Sequence, residues 1–345
     1  MKKLFFRLSM EHRTLPISEV LAILESEGCS YEITLNYPGL LVLKSEPRTL
    51  ESVKKRSAYV KYGGYVLHYA NNINTLIDDL RKKFILEDLP SDKTFCVRVD
   101  KLGGKEIPVN SVSIERKIGA IIVKKTNLHV DLEKPDIRFN VIISPEASVL
   151  GVESFRIRRR IFEKRRPSKR PFFHPSTLHP VLAKALVNLS RARRGSIIVD
   201  PFCGAGGILI EAALLGYHVV GCDVLSEMAH GAKLNLKHFN IWSSSNLIVS
   251  DSEKLVFREK SIDYIVTDTP YGRLSTTKGK DLDKLMEKFV ARIARALRKG
   301  GRAVIMVDSR INIEQIIARN NLKILEKHLI RVHRSLTRKI VVAEV

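Results

Sequence analysis

The chain is short of acid, poor in cysteine and nearly without glutamine. Asp and Glu number 37 against 59 Lys and Arg, a formal net charge of +22. An imbalance of that size favours a polyanionic partner, either nucleic acid or an anionic membrane surface. Nothing supports membrane insertion, since no apolar run approaches the roughly 18–20 residues that a spanning helix needs. The start Met1-Lys2-Lys3-Leu4-Phe5-Phe6 imitates a signal peptide, but Arg7 cuts it short, and a cytoplasmic location is expected. The four cysteines, Cys29, Cys96, Cys203 and Cys222, are widely spaced and form no CxxC pair. That spacing argues against zinc or an Fe–S cluster, so no metal is expected. A single glutamine, Gln315, beside abundant Lys, Arg and Ile hints at a heat-adapted chain.

What remains is enough for two domains: 345 residues, 44% of them hydrophobic. The first 150 residues read as small mixed α/β units. Strands are expected at Lys3–Leu8, Tyr31–Leu35, Gly39–Leu43, Thr94–Val99 and Arg138–Ile143. Helices are expected at Ile17–Glu27, Ile73–Phe84 and Ser113–Ile122, the last with Ile114, Ile118, Ile121 and Ile122 on one face. No catalytic cluster is visible in this half, and His12, His68 and His129 are scattered. Between Arg156 and Arg170 stand nine Lys or Arg and one acid, Glu163. A charge run is often a solvated linker. In an already basic chain, Arg158, Arg159, Arg160, Lys164, Arg165 and Arg166 are candidates for phosphate contact, which adds affinity but reads no sequence.

From about Phe172 strands and helices alternate, the pattern of a doubly wound sheet. Strands are expected at Ser196–Val199, Tyr217–Gly221, Asn246–Val249, Ile262–Thr267, Arg302–Val307 and Lys339–Ala343, and a long helix at Leu282–Arg298. Asp200-Pro201-Phe202-Cys203-Gly204-Ala205-Gly206-Gly207 follows the first of these strands and opens a helix, and its glycines permit a tight turn against a ligand. It contains no Lys, which disfavours a nucleoside triphosphate. Asp223, Asp251 and Asp268 follow at the ends of the next three strands, 23, 28 and 17 residues apart. Any one of them could be an ordinary helix cap. Four in register would line one rim, with Asp223 placed for ribose hydroxyls and Asp251 for an adenine amine. A nucleoside without phosphates fits such a rim, and S-adenosylmethionine is one.

Asp268-Thr269-Pro270-Tyr271 leaves the fourth strand at the end where open α/β sheets place their chemistry. Asp268 offers a carboxylate, Thr269 a backbone carbonyl held extended by Pro270, and Tyr271 a face on which a base can stack. Asp-x-Pro-aromatic arises by chance in about one chain of this length in ten, so the surrounding carboxylates must support it.

These motifs resemble a known family. Asp200–Gly207, Gly221-Cys222-Asp223, Ser250-Asp251 and Asp268–Tyr271 are similar to the successive motifs of class I amino-methyltransferases. The segment Arg170–Pro180 resembles the one that precedes the glycine loop in archaeal tRNA guanine-N2 methyltransferases. Val332–Arg338 resembles the branch that modifies guanosine 10. Phe95–Val99 and Ser113–Gly119 look like a THUMP domain. The resemblance implies a ferredoxin-like unit at 1–70, a THUMP domain at 71–150, a basic linker at 151–171 and a Rossmann-like methyltransferase domain at 172–345. It further implies that Asp200, Phe202, Gly204, Gly206, Asp223 and Asp251 hold S-adenosyl-L-methionine. Asp268, Thr269, Pro270 and Tyr271 would then face a guanine of tRNA, with a monomer expected. Thr269 departs from the branch, which usually has a second proline there; the carbonyl survives and the stiffness of the ring does not. The alternatives are N2 methylation at another tRNA or rRNA position, adenine methylation in DNA, and a non-catalytic RNA-binding protein with a decayed pocket.

Overall fold

The computed structural model describes residues 1–83, 92–103, 107–251, 257–270, 282–333 and 336–345. The chain divides into two compact units. One comprises Met1–Ile17, Cys29–Lys55 and Val60–Arg158; the other comprises Ser18–Gly28, Arg56–Tyr59 and Arg159–Val345.

In chain order the N-terminal elements are β1 (Lys2–Leu8), α1 (Leu15–Ser26), β2 (Tyr31–Tyr37), β3 (Leu40–Ser45), α2 (Arg48–Arg56), β4 (Val60–Ala70), α3 (Ile73–Lys83), β5 (Thr94–Lys101), α4 (Ser111–Lys125), β6 (His129–Val130), β7 (Ile137–Ile143) and β8 (Ser148–Arg156). The strands form one sheet in the order β2-β3-β1-β4-β8-β7-β5-β6. The boundary expected at residue 70 falls at the end of β4, which pairs with β1 on one side and β8 on the other. β4 went unread in the sequence because it contains Gly63-Gly64, a pair that weakens a strand signal. Here the glycines permit close packing: a Cβ on Gly64 would lie 1.9 Å from the Val152 carbonyl oxygen. α4 buries Ile114, Ile118, Ile121 and Ile122 against Phe95 and Phe139, the face its periodicity implied. Asn110 caps its start, accepting from the Ser113 N–H at 3.1 Å.

The second unit continues with α5 (Arg160–Glu163), α6 (Pro180–Leu189), β9 (Ile197–Asp200), α7 (Gly207–Leu214), β10 (His218–Asp223), α8 (Ser226–His238), β11 (Ser245–Val249), β12 (Ile262–Asp268), α9 (Leu282–Ala296), β13 (Leu297–Asp308), α10 (Ile313–Arg319), β14 (Lys323–His333) and β15 (Leu336–Glu344). Its sheet has the order β11-β10-β9-β12-β13-β15-β14. β11 through β13 run parallel, and β15 and β14 close the edge antiparallel. The chain winds outward from β9 to β11, then returns to place β12 on the other side of β9. That reversal is a topological switch point, where such sheets open a crevice at their C-terminal ends. On one side of the sheet, Met286, Phe289, Val290 and Ile293 of α9 pack with Ile265, Ile305 and Val341. α9 stops at Ala296, earlier than its pattern suggested, because Leu297 enters the sheet opposite Ile262.

A second buried feature of this unit involves α1. Glu19 is fully buried and accepts four hydrogen bonds: from the Ser57 hydroxyl (2.7 Å), the Ala58 and Tyr59 N–H groups (2.8 and 2.9 Å) and the Asn188 side-chain amide on α6 (2.8 Å). Burial pushes its carboxyl above the usual range, and the four bonds oppose that shift.

Candidate active site

The strand ends at the switch point are tied to one another in a continuous line. The Thr267 hydroxyl of β12 donates to Asp200 Oδ1 of β9 at 2.6 Å, and the Phe202 N–H donates to the same oxygen at 3.2 Å. The Gly204 N–H then donates to Asp223 Oδ2 at 2.9 Å, and the Leu225 N–H to Asp223 Oδ1 at 3.0 Å. From β10 the line passes to β11 through the Ser250 N–H, which donates to the Asp223 carbonyl at 2.9 Å, next to Asp251. The four acids do therefore follow one edge, joined by backbone and side-chain bonds.

They differ in environment. Asp200 is only 1% exposed. Burial pushes its carboxyl up to about 7, against the bonds from Thr267 and Phe202, and the nearby Asp268 and Asp223 charges push the same way. Asp200 thus fastens β12 to the glycine loop from below. Asp223 is partly exposed, and each of its oxygens retains acceptor capacity after one backbone bond. Gly204 takes φ +49° with nothing within 4 Å of the place a Cβ would occupy, so the loop faces open space there. Gly206 takes φ +81°, and a Cβ on it would meet Ala232 at 3.2 Å. This loop fits a ligand carrying a ribose, with the backbone laid close and Asp223 free to accept from a diol. Phe202 is partly exposed, and its ring meets Phe289 edge-on at 5.0 Å. Burial drives the Cys203 thiol well above its ordinary range and the Cys222 thiol up to about 12, which disfavours the thiolate in both.

Asp268 ends β12 opposite Met306 of β13. Burial pushes its carboxyl up to about 6, opposed by the charge and hydrogen bond of Arg338. One terminal nitrogen of Arg338, Nη2, donates to Asp268 Oδ1, to the Thr269 carbonyl (3.2 Å) and to the Met306 carbonyl (3.1 Å). The two acceptors singled out in the sequence therefore converge on a single guanidinium nitrogen. Thr269 is itself fastened: its N–H and its hydroxyl both donate to the Met306 carbonyl, at 2.9 and 3.0 Å. A proline at 269 would have neither donor, so the hydroxyl and amide hold by hydrogen bonding what a ring would hold by covalent stiffness. Pro270 is partly buried, and Tyr271 lies outside the described residues.

Arg338 and Met306 are the residues that sequence reasoning missed. A signal existed. Leu336, Arg338, Ile340 and Val342 share one face of β15 at period two, and an arginine among apolar neighbours on a buried face needs a partner.

The basic run divides by role. Arg158, Arg159, Arg160, Lys164 and Arg166 are exposed, Arg166 pairing with Glu163 at 2.8 Å. Arg165 is instead committed within the fold. It forks onto the buried Glu211 of α7 at 2.8 and 2.9 Å and lies over the Phe162 ring. Among the described residues, no group of three or more His, Cys, Asp or Glu is arranged to hold a metal ion, and no helix is long and apolar enough to cross a membrane.

An RMKL-like methyltransferase domain matches residues 167–340, and a THUMP domain matches residues 72–153. The tRNA (guanine(10)-N2)-dimethyltransferase of Methanothermobacter thermautotrophicus is 37% identical over 98% of both chains. The protein of the same name from Methanocaldococcus jannaschii is 34% identical over 81% of this chain and 85% of its own. Among solved structures, TrmN from Thermus thermophilus superposes with a TM-score of 0.58 at 20% identity, covering 100% of this chain and 99% of its own, a likeness of fold.

Proposed function

This chain belongs to the archaeal THUMP-containing tRNA guanine-N2 methyltransferases, and from that premise we propose that it methylates the exocyclic amine of guanosine 10 in tRNA, twice in succession. The observation that supports this best is the convergence of the Asp268 carboxylate and the Thr269 carbonyl, at the end of β12, on one guanidinium nitrogen of Arg338. The position and the methyl count follow the names of the relatives.

Guanine N2 is a poor nucleophile because its lone pair is delocalised into the ring. Two acceptors that take its two N–H bonds favour a more tetrahedral nitrogen and leave the lone pair directed away from the ring plane. Positive charge gathers on N2 as its new bond forms; the Asp268 carboxylate stabilises that charge, and one N–H proton of N2 then passes to this carboxylate and on to solvent. Fixing the base in this arrangement supplies much of the remaining acceleration. Tyr271 would stack on a base taken out of its helix. Gly204, Gly206, Asp223 and Asp251 would hold S-adenosylmethionine, which when bound supplies a methyl group on a positively charged sulfur. Asp200 would act beneath them by fixing the loop. The THUMP half and the exposed Arg158, Arg159, Arg160, Lys164 and Arg166 would grip tRNA phosphates.

The test is incubation of the full chain with labelled S-adenosylmethionine and unmodified tRNA, followed by nucleoside analysis and position mapping. The expected products are N2-methylguanosine and then N2,N2-dimethylguanosine at position 10. Label on adenine, or on guanosine at another position, would overturn the assignment.

A further inference from the structure

We propose that Arg338 is a positioning residue for the transfer: from β15 its guanidinium holds the Asp268 carboxylate and the Thr269 carbonyl in the arrangement that receives the guanine amine. The inference deepens the proposed function and rests on it.

The strand order makes this contact possible. β13 lies between β12 and β15, with Asp268 opposite Met306 and Asp308 opposite Arg338. The Arg338 side chain, 2% exposed, reaches across β13 and binds the Met306 carbonyl on the way. Its Nη2 engages only Oδ1 of Asp268. A carboxylate has about four acceptor positions and a carbonyl two, so both groups keep capacity for another donor. The Asp268 side chain is 13% exposed, which leaves it reachable.

Burial of the Asp268 carboxyl explains why a cation is needed there. Asp200 faces Asp268 from β9, and Asp223 stands beyond it on β10. Asp308 on β13 is held by Arg310 at 2.5 Å. Among the described residues, the cation in contact with Asp268 is Arg338. Burial favours a neutral Asp268, and a protonated carboxyl turns one acceptor into a donor. Arg338 opposes that change while fixing the direction of the carboxylate. Lysine would keep the charge without the planar guanidinium geometry.

The experiment compares the wild type with Arg338→Met, Arg338→Gln and Arg338→Lys in the full chain. Single-turnover methyl transfer at saturating cofactor and tRNA is followed from about pH 5 to about pH 9. The Asp268 carboxyl is titrated in the same proteins by carbon NMR. The expected result for Met and Gln is an acid limb and an Asp268 titration moved up by at least about one pH unit. Their rate at neutral pH falls about tenfold or more and partly recovers in alkali, with the KM for tRNA unchanged. Lys keeps the wild-type acid limb at a reduced rate. An unmoved Asp268 titration in the neutral variants overturns the proposal, as does a faster rate, which would mean that the guanidinium blocks the acceptors. If one neutral variant does not fold, the other decides. If the wild type itself makes no N2-methylguanosine, the functional reading fails, while the carboxyl titration still decides the role of Arg338.

Discussion

Two buried carboxylates of the second unit, Glu19 and Asp268, show how the same group serves opposite ends. Glu19 accepts from four uncharged donors supplied by residues 57–59 and Asn188. Its acceptor capacity is used up, and its role is to join segments of the chain. Asp268 receives one cation at one oxygen and retains partial exposure. Burial raises both carboxyls, yet only Asp268 keeps acceptor positions for a substrate. Incomplete satisfaction, rather than burial or a perturbed carboxyl, separates the acid proposed to meet substrate from the structural one.

The sharpest way to break the comparison is to remove each group and read both activity and stability. Asp268→Ala should lower methyl transfer by about a thousandfold, the order expected for losing a principal electrostatic group. Cofactor affinity by calorimetry and tRNA affinity by filter binding should stay within about threefold of wild type. Full activity in this variant would remove Asp268 from the mechanism.

Asp200 tests the middle ground, since it sits on the rim, is as buried as Glu19, and accepts two bonds, both at Oδ1. Its carboxyl, raised to about 7, favours the neutral form in the folded state. Stability from this group is therefore fully present below the unfolded value near 4 and is lost as pH rises through about 7. Asp200→Asn retains an oxygen for Thr267 and Phe202 and removes the charge. It should flatten the pH dependence of urea unfolding between about pH 4 and pH 7, with a gain at pH 8 of at most about 4 kcal/mol. Unfolding curves that keep the wild-type pH slope would show that Asp200 does not titrate in this range.

Glu19→Ala is the converse of the first variant. It strands four donors and should cost about 3 kcal/mol in urea unfolding. The single-turnover rate of the folded fraction should match wild type. A lowered rate at unchanged stability would erase the distinction between the two acids.

Much of this site was legible in the sequence. Asp200, Asp223, Asp251 and Asp268 could be placed because a strand is a local pattern and the residue after its last buried position leaves the C-terminal edge. The glycine loop was legible because positive φ at Gly204 and Gly206 favours the residue that occupies both positions. β4 and β14 were harder. β4 hides behind Gly63-Gly64, and β14 mixes charged and apolar residues on both faces, an edge strand that gains meaning only when paired to β15. Arg165 looked like its exposed neighbours, because nothing local shows that Glu211, 46 residues on, lies within reach.

By itself, the sequence determined the class of sheet, the order of its acidic strand ends, the polyanion preference and the tetrapeptide proposed to hold an amine. Each of these is written in contiguous residues or in net charge. Only the tertiary structure decided which acids are spent and which remain available. It set Thr267 on Asp200, fastened Thr269 to Met306, and brought Arg338 to Asp268 across 70 residues of chain. Acceptor capacity depends on every donor within about 3 Å, and in a doubly wound sheet those donors come from strands adjacent in space but distant in sequence.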